Sequence, residues 1–85
     1  MIIIYHRDFE KNYKKLSSKG KNRLKERLVF FAKDEFNPIL NNHALKGNYL
    51  GYRSINVTGD LRAIYKREEN LAIFVAVKSH SNLYG

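Results

Sequence analysis

Eighty-five residues without a single cysteine make one domain, residues 1–85, held by packing alone, with no disulfide and no cysteine-based zinc site. Apolar residues make up 44% of the chain and aromatics 13%, enough to build a core, and the longest uncharged apolar run is about eight residues against the roughly 20 of a membrane span. Sixteen Lys and Arg against eight Asp and Glu give a formal charge of +8, which suits a polyanionic partner, either nucleic acid or an acidic protein; the other reading is an ordinary basic, well-solvated small domain.

The charge is spread along the chain. Residues 1–36 hold ten basic and five acidic side chains, residues 37–85 six and three, so there is no separate basic tail. The opening "MIII" precedes its charges instead of following them, the reverse of a signal peptide. The expectation is a soluble, cytoplasmic protein with no membrane partner.

"MIIIYH" is β-rich and predicts an opening strand. In "RDFEKNYKKL", Phe9, Tyr13 and Leu16 recur at i, i+4, i+7, one face of a helix, with Asp8 as its N-cap or as first-turn negative charge. "SSKG" reads as a turn. "KNRLKERLVFFAKDEF" returns to helical spacing, with Leu24, Leu28, Phe31 and Ala32 on one face, so the two helices form a hairpin. Asn37-Pro38 stops the second helix, and the Asn- and Gly-rich stretch up to Gly51 predicts a loop. "YRSINV", "LRAIYKR" and "LAIFVAV" then read as three strands separated by the turns "TGD" and "EEN". The last is continuously apolar, as in a central strand covered on both faces. The predicted fold is α+β, ordered β-α-α-β-β-β, with a helical hairpin on one face of a small, mostly antiparallel sheet.

Three histidines are present. His6 ends the first strand and reads as structural or merely exposed. His43 lies in the Asn-rich loop and His80 follows the central strand, locations common for catalytic groups. Asp60, in the "TGD" turn, serves turn chemistry or orients a nearby imidazole. Arg62 and Lys66 share a strand face, while Leu61, Ala63 and Tyr65 share the other. A basic sheet face suits a polyanion, and it also serves simply to solvate an open face or guard an edge. With Arg53, and with Tyr49, Tyr52 and Tyr84 nearby, cations and rings form the mixture that binds single-stranded RNA. No HxxxH or HExxH spacing, P-loop, GxGxxG or G-x-S-x-G occurs. Acid–base chemistry remains: a base takes the RNA 2′-OH proton, cations hold the phosphorane charge, and an acid protonates the leaving 5′-oxygen. That chemistry needs no metal and no cofactor.

Five ordered segments carry a resemblance. They are His43-Ala44-Leu45-Lys46-Gly47, Gly51-Tyr52-Arg53, Val57-Thr58-Gly59-Asp60, Ile64-Tyr65 and His80-Ser81-Asn82-Leu83-Tyr84-Gly85. Together they resemble the RelE/ParE superfamily of toxins from bacterial toxin–antitoxin systems, and most of all its YafQ-like branch of ribosome-dependent mRNA endoribonucleases. The likeness covers about the last half of the chain; the first half agrees in pattern only. It implies a sheet that cradles mRNA in the ribosomal A site, with His43, Asp60 and His80 on catalytic positions, Tyr84 near the scissile phosphate, and an acidic antitoxin as partner. Arg53, Arg62 and Lys66 would bind phosphates. Asn56 stands where some members have a histidine, and it can hydrogen-bond a phosphate or base without transferring a proton near pH 7. Leu61 stands where some have tryptophan. Two other readings stay open: a non-catalytic, ParE-like toxin acting on DNA gyrase, and an inactive homologue that binds only its antitoxin.

Overall fold

A computed structural model describes residues 1–80. Its elements are β1 (Ile2–Tyr5), α1 (Arg7–Lys14), α2 (Ser18–Lys33), a 3-10 turn at Pro38–Leu40, β2 (His43–Ala44), a second 3-10 turn at Gly47–Tyr49, β3 (Arg53–Asn56), β4 (Leu61–Glu68) and β5 (Leu71–Ser79). The strands form one sheet in the order β1-β5-β4-β3-β2. β1 pairs with β5 in parallel, and every other pair is antiparallel. The expected α+β meander with a helical hairpin is therefore what the chain builds, with one addition: two residues of the Asn-rich segment form the edge strand β2. No described helix is long and apolar enough to cross a membrane.

Local chemistry sets the helix ends. His6 caps α1, its Nδ1 accepting from the Asp8 N–H at 3.1 Å, which leaves Asp8 in the first turn rather than at the cap. The Asp8 carboxylate stands 3.8 Å from the same nitrogen. That contact becomes an ion pair only on protonation, and protonation would break the cap. α2 starts earlier than periodicity suggests: Ser17 caps it by accepting from the Gly20 N–H at 3.1 Å, so "SKG" is the first helical turn and not a loop. At the end of the first 3-10 turn, Asn41 takes left-handed dihedrals (φ 44°, ψ 50°). Asn tolerates that region better than most residues.

Both helices cover one face of the sheet. Phe9 of α1 and Leu24 and Phe31 of α2 pack against Ile55, Ala63, Tyr65 and Phe74. Ala32, expected on this stripe, faces solvent, while Phe30 packs partly against the core. Phe74 is fully buried at the centre, its ring 5.1 Å from Phe31, 5.1 Å from Tyr65 and 5.6 Å from Phe9. The other face is not purely basic. Leu45, Ile64 and Ala76 form a small second cluster, with Tyr49, Tyr52 and Val75 packed beside it, under the loop that leads into β3.

Strand β5 is irregular. Ile64 pairs with Ala76, but the next residue, Tyr65, pairs with Phe74, so Val75 is an extra residue in the ladder, a β-bulge. Ala72 and Phe74 face the helices; beyond the bulge Ala76 faces the opposite side and Val77 returns to the helices. The unpaired Val77 N–H is satisfied by the Asn12 side chain of α1, Oδ1 accepting at 3.0 Å.

Truncating the central ring, Phe74→Ala, is expected to cost about 3–5 kcal/mol in urea unfolding monitored by circular dichroism. Removing the α2 cap with Ser17→Ala is expected to cost about 1 kcal/mol in the same assay. A cost for Phe74→Ala no larger than that of Ser17→Ala would contradict the aromatic cluster as the centre of stability.

Candidate active site

The open face of the sheet collects most of the candidate residues, and cross-strand register decides which. Asn56 pairs with Arg62 and Arg62 with Lys78, so these three form one row on one face. Just beyond the Leu61–Ser79 pair that ends the ladder, Asp60 of the turn and His80 after β5 are joined, the His80 N–H donating to the Asp60 carbonyl at 2.6 Å. In the other direction His43 pairs with Ser54, Ser54 with Ile64 and Ile64 with Ala76. His43 thus lies on the same face, at the β2 edge. Asp60, His80, Asn56, Arg62 and Lys78 are brought together at one end, with His43 flanking them from the side.

The Asp60 turn is held by its own side chains. Thr58 Oγ1 accepts from the N–H of Asp60 at 3.2 Å and of Leu61 at 3.0 Å. The Arg62 guanidinium folds back, Nη1 donating to the Thr58 carbonyl at 2.9 Å and to the Leu61 carbonyl at 3.0 Å. One guanidinium therefore stiffens the turn that carries Asp60. On β3, Ser54 Oγ and Asn56 Oδ1 are buried with no hydrogen-bond partner among the described residues. Burying a polar group without a partner costs free energy, and such atoms cluster where a ligand completes them.

His43 is set by its neighbours. Its Nδ1 lies 2.9 Å from the Asn41 carbonyl. A carbonyl only accepts, so Nδ1 carries the proton and, in the neutral ring, Nε2 carries the lone pair. The adjoining Asn42 anchors the whole segment. Its Nδ2 donates to the Glu35 carbonyl at 3.0 Å and to the Tyr65 hydroxyl at 2.6 Å, and its Oδ1 accepts from Arg53 Nε at 2.8 Å. Tyr65 in turn donates to Glu35 Oε2 at 2.6 Å, and Arg67 Nε stands 3.2 Å from Glu35 Oε1. Burial, then the hydrogen bond to Glu35, raises the Tyr65 phenol well above its ordinary value.

This network claims Arg53, which the sequence pairs with Arg62 as a phosphate binder. Arg53 pairs with Tyr65 whereas Asn56 pairs with Arg62. An odd spacing along β3 puts Arg53 and Asn56 on opposite faces. The Arg53 guanidinium instead stands 5.3 Å from the centre of the Phe36 ring. Lys66 shares the open face with Arg62 but lies at its other end, 3.3 Å from Glu68 and 6.0 Å from the centre of the Tyr52 ring. Tyr84 lies outside the described residues. Among those described, no group of three His, Cys, Asp or Glu side chains stands close enough to hold a metal ion.

Sequence reasoning missed Ser54, Asn42, Glu35 and Lys78. Asn42 adjoins His43 in an Asn-rich run, the one local signal available. Lys78 was hidden because the bulge reverses the facing of the end of β5.

A hairpin of helices on a mixed five-stranded sheet, with cations and imidazoles on the uncovered face, defines the toxin fold of the RelE kind. The same architecture occurs in a YoeB/ParE toxin from Agrobacterium tumefaciens, which at 15% identity, a TM-score of 0.76 and coverage of 94% of this chain and 99% of that one shows the fold alone. YafQ from E. coli strain BL21(DE3) superposes with a TM-score of 0.80 at 26% identity, over 98% of this chain and 97% of that one. YafQ in the E. coli DinJ–YafQ toxin–antitoxin complex does so with a TM-score of 0.77 at 28% identity, over 98% and 96%. Among curated proteins nothing matches significantly. The family model for the YafQ bacterial toxin of type II toxin–antitoxin systems matches residues 1–85, and the chain belongs to that family.

Tyr65→Phe removes the donor to Glu35 and the acceptor for Asn42, leaving two partly buried polar groups short of a partner. The expected cost is about 1–3 kcal/mol, read by urea unfolding near neutral pH. Because the folded Tyr65 phenol is raised above its unfolded value near 10, its contribution is fully present below that pH and is lost as pH climbs through the folded value. The alkaline fall in wild-type stability above about pH 10 should therefore be shallower in Tyr65→Phe. Parallel alkaline limbs would refute the phenol–carboxylate bond.

Proposed function

We propose that this chain is an mRNA-cleaving toxin, an endoribonuclease acting on ribosome-bound mRNA and silenced by an acidic antitoxin in the cytoplasm. The observation that carries the reading is the row register of the open face, which sets Asp60 and His80 side by side next to Arg62, Asn56 and Lys78, with His43 on the same face. The family makes toxin action the frame. The charge of +8 serves both partners, since an RNA and an acidic antitoxin segment are each polyanionic. That a related YafQ is found in complex with DinJ supports the antitoxin half of the reading.

In the mechanism, one imidazole removes the 2′-OH proton and the 2′-oxygen attacks the adjacent phosphorus. The bond to the 5′-oxygen breaks, and that oxygen takes a proton from the second imidazole. A cyclic phosphate and a free 5′-hydroxyl result, with no net change in protons. His43, with its lone pair on Nε2 in the neutral ring, suits the base, and His80 then acts as the acid. Asp60 orients the His80 end. Lys78 and Arg62 hold the developing phosphorane charge, and Asn56 offers its buried Oδ1 to the substrate. Tyr84 is retained as the ring near the scissile phosphate. Arg53 acts through Asn42 as a positioning residue for the His43 segment, and Lys66 contacts RNA beyond the reacting phosphate. No metal or other cofactor enters the reaction.

Primer extension on a reporter mRNA in a cell-free translation system tests this. Wild type is expected to cut within the reading frame, and His80→Ala to lose roughly 10²-fold or more of that cutting. If neither protein cuts while wild type still arrests growth, the target is not mRNA, and a supercoiling assay with gyrase is the next measurement. If wild type neither cuts nor arrests growth, an inactive homologue that binds only its antitoxin replaces the proposal.

A further inference from the structure

A polar cleft adjoins the candidate active face and shares only Lys78 with the chemistry above. It has a volume of about 460 Å³ and runs between α1 and the 48–52 loop. We propose that it binds single-stranded RNA flanking the scissile phosphate, with Lys11, Lys15 and Lys78 on phosphates and the Tyr49–Tyr52 pair against a base. This rests on the RNA-cleaving reading and extends it past Lys78 to a surface which that reading does not use.

The cleft follows from how the sheet is made. β1 ends at Tyr5, so the second half of β5 has no strand on that side, and α1 lies along the exposed edge, its Asn12 satisfying the Val77 N–H at 3.0 Å. Lys11 of α1 and Lys15, the residue that caps its C-terminus, are one helical turn apart and both line the cleft. Opposite them the bulge turns Ala76 and Lys78 to the open face. The loop supplies two rings, Tyr49 and Tyr52, which meet edge to face at 6.2 Å and 89° and are seated on the Leu45, Ile64 and Ala76 cluster. Three ammonium groups and one carboxylate, Asp8, line the space, and the Asp8 carboxylate lies toward His6 at 3.8 Å.

Cations beside rigidly seated rings are what a single strand needs: charge for its backbone and a π-face for an unstacked base. Continuity selects RNA over an acidic polypeptide. Lys78 shares its row with Arg62 and Asn56 and is two residues from His80, about 7 Å along the strand, so an RNA at the reacting site passes directly into the cleft. Lys66, 6.0 Å from the Tyr52 ring centre, extends the positive rim.

The test is an amide-shift titration of the ¹⁵N-labelled chain with a non-cleavable 2′-O-methyl RNA hexanucleotide, set beside an RNA hairpin and an oligoglutamate. The expected result is movement at Lys11, Lys15, Tyr49, Tyr52 and Lys78 together with Arg62 and His80. In Lys11→Ala/Lys15→Ala the dissociation constant should rise about tenfold, and the slope of log affinity against log salt should lose about 1.4, near 0.7 for each phosphate contact on a single strand. Tyr49→Leu, which keeps apolar packing, should weaken binding about tenfold with the salt slope unchanged. Shifts confined to Arg62 and His80, with the lysine variant binding as wild type, would overturn this inference and leave the RNA-cleaving reading standing. Shifts nowhere would overturn both. Tighter binding of the hairpin would assign the cleft to folded ribosomal RNA, and equal movement with oligoglutamate to an acidic protein; either result overturns it.

Discussion

The bulge at Val75 is the constraint on which the rest depends. Along an unbroken strand, side chains alternate. Ala72 and Phe74 face the helices, so uninterrupted alternation would send Ala76, Lys78 and His80 to the same covered side. One extra residue reverses the order. Phe74 and Val77 stay in the main core while Ala76 and Lys78 turn to the open face. Past the end of β1 at Tyr5 the Val77 N–H has no strand partner, and α1 supplies one through Asn12. Core packing on one side of β5 and the placing of Lys78 on the other both follow from a single irregularity.

A second device holds the edge on which His43 sits. Two residues are a short strand, and a strand that short gains little from its own ladder. Asn42 compensates by joining Glu35, Tyr65 and Arg53, three groups from three different parts of the chain. The buried phenol is kept neutral by burial and by its bond to Glu35, so the network holds one carboxylate between Arg67 and an uncharged donor. The edge histidine is thereby placed by a polar frame behind the sheet rather than by the sheet itself.

Much of this was legible before the fold was known, and the parts that were not share a physical reason. The strands, the helical hairpin and the locations of Asp60 and His80 at a turn and a strand end follow from periodicity and punctuation, which are local. The continuous apolar run in β5 carries no alternation, so it concealed the bulge and with it the facing of Lys78. β2 was hidden because two residues have no period. The start of α2 was misplaced because Ser17 and Gly20 look like turn residues until the serine is seen to cap. Arg53 looked like a companion of Arg62, and only the register with Tyr65 separates them. Of the proposed site, the residue types could be listed from sequence, but the rows that join them are set by pairing between distant segments.

The parallel pairing of β1 with β5 also has a bearing on when such a protein becomes dangerous. Ile2 is made well before its partner Leu71, so the sheet closes only by joining segments that are far apart in sequence, a slow kind of contact to form. Phe74, the ring at the heart of the core, and His80 emerge later still. A growing chain lacking β5 has neither a finished core nor an assembled open face. The order of synthesis itself therefore leaves both faces of the sheet unfinished until β5 has been made, whatever has been made before it.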